Sequence, residues 1–485
     1  VALEYFRGWC ISGLPWVYVG HTQYENLVLI QTADLVGAYG PSFLCLMTSG
    51  LVADVLTRPL YLAAPRAAGE AAPGQATRLS RALVAMAALT VAAWVFTVAY
   101  GLWRLNQDAA RPGPFVASVQ TCVPQEVKLK ARNEQIEQLE EQLMGDQLAL
   151  TDEAAAAARQ AGETVDLVVW PETMVPGILN RAFLEDDLAA RLSDEPMREV
   201  FEYLQRRSRL YWTLIQQKAA AVGAPILFGA HGVAFEGAVR LPGGGYLTRG
   251  PRYNMAYLVS PGSKPYAADH SYAKAHLVPF GEYVPFKESW PWLHEALQGF
   301  TPYSYDYSLT PGAHDQEPFV LRYGGEEARF QVAICYEDAI AYRVREMAAC
   351  ATPRLDFVVN ISNDGWFVRG WLGEDGTYEL DQHLNLGVFR AVENRVAIVR
   401  SVNTGISALV SPTGRIEKIV TDAAGRFRNV AGQVTGRLTL DTRRAPYTDV
   451  GDLFARLCLL ATLAAGAGGA VWRRLARPAP GKPGG

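Results

Sequence analysis

The chain has no basic block. Its 45 Lys and Arg face 49 Asp and Glu, for a net charge of -4. The basic residues are scattered rather than interleaved with aromatics, so the electrostatic footprint of a nucleic-acid partner is missing. Cysteine is also scarce. Cys10, Cys45, Cys122, Cys335, Cys350 and Cys458 form no CxxC pair and no Cys/His cluster. Neither a zinc site nor a disulfide scaffold is indicated. No internal repeat is visible. The start, "VALEYFRGWC", lacks the charged, apolar and small-residue order of a signal peptide. It reads as the interior of something longer, so upstream sequence is expected. Charged residues make up only 19% of the chain against 49% hydrophobic, a low share of charge for a soluble protein.

The apolar residues are concentrated at the ends. Residues 35–53 carry no charge, and neither do residues 82–103, "ALVAMAALTVAAWVFTVAYGLW". Each run is close to the roughly 20 residues that cross a bilayer. The second ends in Trp94, Tyr100 and Trp103, which suit a membrane interface. A third candidate, residues 453–472, holds Arg456 near one end, where it can snorkel, and is rich in Gly. Cys45 and Cys458 fall in these runs and read as packing residues. Arg58, Arg66, Arg78 and Arg81 follow the first run; Arg473, Arg474, Arg477 and Lys482 follow the last. Loops rich in Lys and Arg stay in the cytoplasm, so the long middle segment is expected on the other face. The expected organisation is a membrane region over 1–104, a globular domain over 105–452, and a terminal helix with a basic tail over 453–485.

The middle alternates Val- and Ile-rich runs with polar helical stretches. Strands are expected at 166–170, 225–230, 255–260, 330–334, 356–362 and 397–402. Helices are expected at about 128–160, 196–222, 337–349 and 379–395. This alternation predicts an α/β layered domain.

Three strands run into reactive residues: "LVVWPET" at Glu172, "AICYED" at Cys335, and "VVNISNDGWF" at Asn363, Asp364 and Trp366. In α/β sheets, sites gather at the carboxyl ends of strands. A fourth stretch, "YAKAHLVPFGEYVPF", carries Lys274, His276 and Glu282. Taken singly, each has a bland reading. A lone Cys in an apolar run is filler, a lone Lys is a surface lysine, and "SNDGWF" is a turn with a packed aromatic. His276 could pair with a thiol, but Glu172, Lys274 and Cys335 make a better set. A thiol is mostly protonated at neutral pH and needs a base beside it to attack a carbonyl. An ammonium can hold the oxyanion that forms. Spacing alone does not show that the three meet.

Together these motifs resemble the carbon–nitrogen hydrolase (nitrilase) superfamily. With "GLPW" near the start, "RAVENRVAIVRSVNTGIS" near the end and membrane flanks, they resemble most its membrane-bound branch, the apolipoprotein N-acyltransferases. The resemblance implies a nitrilase-like αββα sandwich flanked by transmembrane helices in a bacterial inner membrane, multi-pass, with the domain on the periplasmic side. It implies a triad of Glu172 as base, Lys274 as oxyanion holder and Cys335 as nucleophile. Glu282 would orient or tune the site, Tyr336 and Glu337 would shape the pocket beside the nucleophile, and Trp366 would support it. The implied reaction moves an acyl chain from a phospholipid, through a Cys thioester, to the N-terminal amine of a diacylglyceryl-Cys lipoprotein, with no metal or cofactor.

This chain departs from the family pattern in three places. Thr121–Cys122 replaces a Gly-polar pair, Leu129 stands where a Trp is common, and Val368 stands where Gly is common. Family members also carry more membrane helices upstream, so the chain is a fragment or its membrane part is reduced. Two other readings use the same residues: a membrane-tethered amidase with water as acceptor, and a catalytically dead domain that binds lipids or lipoproteins.

Overall fold

The computed structural model describes residues 1–63, 81–128, 136–241, 246–301, 306–368 and 377–475. It divides into two compact units. One is Asp108–Arg444; the other joins Val1–Gln107 to Ala445–Gly485. Residues 445–452, grouped with the globular domain in the sequence reading, fall in the second unit.

The Asp108–Arg444 unit is built on strands β1 (Ala110–Gln120), β2 (Leu167–Val169), β3 (Ile226–Val233), β4 (Gly237–Arg240), β5 (Tyr246–Arg249), β6 (Arg252–Val259), β7 (His270–Ala273), β8 (Phe319–Tyr323), β9 (Glu326–Ile334), β10 (Phe357–Ser362), β11 (Ala397–Val402), β12 (Ala408–Val410), β13 (Ile416–Ile419) and β14 (Gly432–Asp441). Two six-stranded sheets form, in the orders β14-β1-β2-β3-β6-β7 and β13-β12-β11-β10-β9-β8. Strands β1, β2 and β3 are mutually parallel, as are β9, β10 and β11, and antiparallel strands complete each sheet. Because β6 is antiparallel to both β3 and β7, β7 runs the same way as β2 and β3.

The sheets meet face to face through small side chains. Ser118 Oγ donates to the Arg400 carbonyl at 2.7 Å. Ser401 Oγ lies 2.9 and 3.0 Å from the carbonyls of Val119 and Val169. A buried hydroxyl must find a partner, and here each one fastens one sheet to the other. Helices cover the outer faces. Glu195–Val222 starts where Asp194 accepts the Met197 amide at 3.1 Å, carries Pro in its first turn, and stops at left-handed Gly223. Its buried Trp212 packs edge-on against Phe228 and Tyr257. Glu379–Asn394 lies against β11 and β12. The result is the αββα sandwich expected from the sequence.

All six expected strands are present. The helix expected at 337–349 starts instead at Ala341, because residues 335–338 form a separate 3-10 turn. The helix expected from 128 is described from Glu137, and residues 129–135, with Leu129, lie outside the described residues. Strands β1 and β14 were not foreseen. The first carries Pro112, Gly113 and Pro114 around a bulge near its start, and the second carries Gly436 and Arg437 mid-strand. Both carry the punctuation of loops.

In the other unit, Tyr39–Ala63 and Arg81–Leu105 are helices. The apolar stretches Tyr39–Thr57 and Arg81–Leu105 are long enough to cross a membrane. The run expected from residue 35 is broken at Gly37, whose φ of +70° suits glycine, so the long helix begins two residues later. The terminal helix, Leu453–Leu475, has a shorter apolar stretch, Leu453–Gly469. Buried Asp34 accepts from Tyr100 Oη and Arg104 Nε, both at 2.7 Å.

Candidate active site

The first carboxylate arrives on β2. After Val169 the chain passes through Trp170 and Pro171 and turns at Thr173, whose φ of +46° is unusual for a β-branched residue. Glu172 sits in this turn and is buried. Gly229 on β3 makes room for it: a Cβ there would lie 2.6 Å from the Thr173 nitrogen and 2.8 Å from the Glu172 Cα. Gly229→Ala therefore has to push the turn away. The expected cost is about 1–3 kcal/mol of stability. A displacement on the order of 1 Å would also slow chemistry at the site ~10²-fold. Thermal unfolding together with the rate of Cys335 alkylation checks this, and an unchanged rate would mean that the turn is not held by this contact.

Lys274 follows β7, so it emerges at the same sheet edge as Glu172. Its ammonium is buried, 2.7 Å from Glu282 Oε2 and 3.8 Å from Glu172 Oε1. Burial works against the charge, but Glu282 and Glu172 override it and hold the pKa well above the ordinary lysine range. Lys274 is thus a fixed cation, not a base. Asn254 on β6 ties the carboxylates together, with Nδ2 donating to Glu172 Oε1 at 2.7 Å and to Glu282 Oε1 at 3.0 Å. Glu282 Oε2 also takes the Val278 amide at 2.8 Å. Asn254 was missed in the sequence. The available signal was a polar Asn inside "NMAYLVS", a poor strand former in an otherwise apolar strand.

Cys335 begins the 3-10 turn after β9 with φ at +52°. This is a strained backbone for a non-glycine residue, of the kind that concentrates at functional sites. Burial pushes the Cys335 thiol up; Glu172 and Asp364 add to this, while Lys274 and a hydrogen bond with Ser362 oppose it. Glu172, Lys274 and Cys335 therefore lie within electrostatic reach of one another, with the thiol protonated at neutral pH.

Glu337 stands two residues after Cys335 in the same 3-10 turn. It is fully buried, and its carboxylate turns into the protein. Oε1 accepts from Tyr272 Oη at 2.8 Å and from the amides of Ala275 and His276 at 2.9 and 3.0 Å. Oε2 accepts the Ile334 amide at 2.8 Å. Glu337 thus fastens the segment after Lys274 to the turn of Cys335. Tyr336 is half-buried, its ring 6.2 Å from that of His276, whose Nδ1 lies 3.4 Å from Tyr342 Oη. Trp366 is 56% exposed in the turn after β10. Asn363 is buried and bonded to Gln125 and Asn403, and Val368 ends the described stretch before residue 377.

A second buried cluster adjoins the turn of Cys335. His383 is pushed up to about 9: burial pulls it down, but Asp364 and Asp338 override that. The same contact with His383 holds Asp364 below the ordinary carboxylate range against the effect of burial.

Similarity to known proteins runs along the whole chain. A model of the apolipoprotein N-acyltransferase N-terminal domain matches residues 1–51, and the carbon-nitrogen hydrolase model matches residues 115–422. The apolipoprotein N-acyltransferase of Geobacter metallireducens is 30% identical over 460 residues, 95% of this chain and 70% of that protein. The chain belongs to the apolipoprotein N-acyltransferase family. The Bradyrhizobium diazoefficiens member is 28% identical, covering 98% of this chain and 72% of its own length. An amidase from Nesterenkonia sp. aligns in structure with a TM-score of 0.38 at 17% identity, over 71% of this chain and 95% of its own. Apolipoprotein N-acyltransferases are thus a family of acyltransferases that carry the carbon-nitrogen hydrolase domain described above.

Proposed function

We propose that the chain transfers an acyl chain from a membrane phospholipid to the N-terminal amine of a diacylglyceryl-Cys lipoprotein. The observation that carries this reading is the gathering of Glu172, Lys274 and Cys335 after the carboxyl ends of β2, β7 and β9, in a chain matched along 95% of its length by an apolipoprotein N-acyltransferase. In the first half-reaction, Glu172 takes the thiol proton as the Cys335 sulfur attacks the phospholipid ester carbonyl. Lys274 holds the resulting oxyanion. Collapse breaks the ester C–O bond, the proton returns to the leaving alcohol, and a thioester and a lysophospholipid result. In the second half, Glu172 takes a proton from the lipoprotein amine as it attacks the thioester, and the thiol is restored. The raised thiol pKa favours proton removal during attack over a standing thiolate.

Both substrates are lipids, in keeping with the two apolar helices. The basic residues after the first and last apolar runs support a bacterial inner-membrane location with the catalytic domain on the periplasmic side.

The test is an intact mass of the purified protein after incubation with phospholipid. A gain of one acyl chain that discharges onto a diacylated lipopeptide is the expected result. Discharge to water alone would support the amidase, and no gain from a folded protein would sink the acyl-transfer reading.

A further inference from the structure

Beside the turn of Cys335, four buried groups close a ring. His383 Nδ1 lies 2.9 Å from Asp364 Oδ1, and Nε2 lies 2.8 Å from Asp338 Oδ1. Arg400 closes the other side, with Nη1 2.7 Å from Asp338 Oδ2 and Nη2 3.3 Å from Asp364 Oδ2. All four are buried. With both carboxylates ionised, their oxygens only accept hydrogen bonds, so both imidazole nitrogens donate and His383 is an imidazolium. Two carboxylates, one guanidinium and one imidazolium then sum to zero. With a neutral imidazole, the ring would carry one uncompensated buried negative charge.

The ring is wired to Cys335 by three routes. Asp338 ends the 3-10 turn that Cys335 begins. Asp364 Oδ1 accepts from Ser362 Oγ at 2.8 Å, and Ser362 is among the groups that act on the Cys335 thiol. Arg400 Nη1 donates to Asn360 Oδ1 at 2.9 Å, while Asn360 Nδ2 donates to the Cys335 carbonyl at 3.2 Å. The charged groups that face His383 include Asp338 from the turn, Asp364 from the loop after β10, and Arg400 from β11. On its own helix, Arg390 donates to the Ala339 carbonyl at 3.1 Å and pairs with Glu393.

We propose that His383 is a positioning residue for the nucleophile: as an imidazolium it neutralises the Asp338–Asp364 pair, keeping the strained turn in place and sparing the Cys335 thiolate from an adjacent negative charge. The inference rests on the acyl-transfer reading only in taking Cys335 as the nucleophile.

The experiment measures iodoacetamide alkylation of Cys335 against pH by intact mass on the full chain in detergent, with Cys335→Ala correcting for the other cysteines. His383→Gln leaves the ring with one negative charge. Its alkylation midpoint is expected to rise by about one pH unit or more, making alkylation ~10-fold slower near neutral pH. His383→Gln combined with Asp364→Asn restores a neutral ring and should recover most of that loss, which a merely structural role would not allow. A wild-type profile in His383→Gln, or a double variant no faster than the single one, overturns the proposal. A variant that fails to fold does not close the question, because wild-type protein labelled with 15N-histidine gives a separate readout. At least one of its seven histidines should remain doubly protonated at mildly alkaline pH; if none does, the proposal falls. Failure of acyl transfer is seen separately: no acyl-enzyme with phospholipid, but the expected alkylation shifts, removes the acyl-transfer reading and leaves this one standing.

Discussion

Cys335→Ala is expected to form no acyl-enzyme at all, while folding as the parent does. The expectation rests on chemistry, since no other described thiol is placed with Lys274 and Glu172 as this one is. Cys122 is also half-buried, with its thiol pushed up to about 11 by burial, but its sulfur bonds Asn429 at 3.1 Å. Backbone strain supplies a second arm. Cys335 holds φ at +52°, a conformation that costs a residue bearing a Cβ about 1–2 kcal/mol relative to glycine. Cys335→Gly should therefore be inactive yet more stable than Cys335→Ala by about 1 kcal/mol, read as a higher thermal midpoint. The pair separates what the backbone there costs from what the sulfur does. If Cys335→Ala still gains an acyl chain from phospholipid, the acyl carrier is another residue and the proposed mechanism falls.

The parts of this site legible in the sequence were those at the ends of apolar strands. Glu172, Cys335 and Asp364 each follow a Val- or Ile-rich run, and sheets covered on both faces make such runs conspicuous. The direction of β7 was not legible. "HSYA" is short and polar, and only its pairing with β6 brings Lys274 to the edge that carries Glu172. Asn254, Asp338, His383 and Arg400 were passed over as site residues for a related reason. Each sits within an element whose pattern marks burial, and only the folded chain shows that their polar atoms converge. His276 was the tempting partner for a thiol; its amide bonds Glu337 of the Cys335 turn, but the imidazole that meets Asp338 of that turn belongs to His383, more than 100 residues away. The resemblance, not the pattern of residues, assigned Glu337 to the pocket beside Cys335. Its four hydrogen bonds point inward because residues 335–338 form a 3-10 turn rather than the start of a helix.

Lys274→Met should be the most damaging change that leaves the nucleophile itself intact. Methionine nearly matches the shape of the stem and removes the charge together with its hydrogen bond to Glu282. Glu172 and Glu282 would then share the Asn254 amide with no cation between them. Removing one partner of a buried ion pair costs about 3–5 kcal/mol. Losing one oxyanion donor costs a further ~10²–10³-fold in the acylation rate. The sign of the pH dependence follows from the raised lysine pKa. The stabilising contribution is fully present below the unfolded-state value of about 10.4 and is lost only as pH rises through the higher folded-state value. The stability difference between parent and variant should therefore be flat from neutral to mildly alkaline pH. Denaturant unfolding across that range measures it, and single-turnover acylation measures the rate. Lys274→Arg divides the two effects. It keeps the charge, so most of the stability should return, but a planar fork cannot occupy the ammonium's position 2.7 Å from Glu282 and 3.8 Å from Glu172, so acylation should remain slow. Recovery of both together would mean that the site needs only a positive charge; recovery of neither would mean that the cavity cannot take the larger group, which the unfolding midpoint would reveal directly.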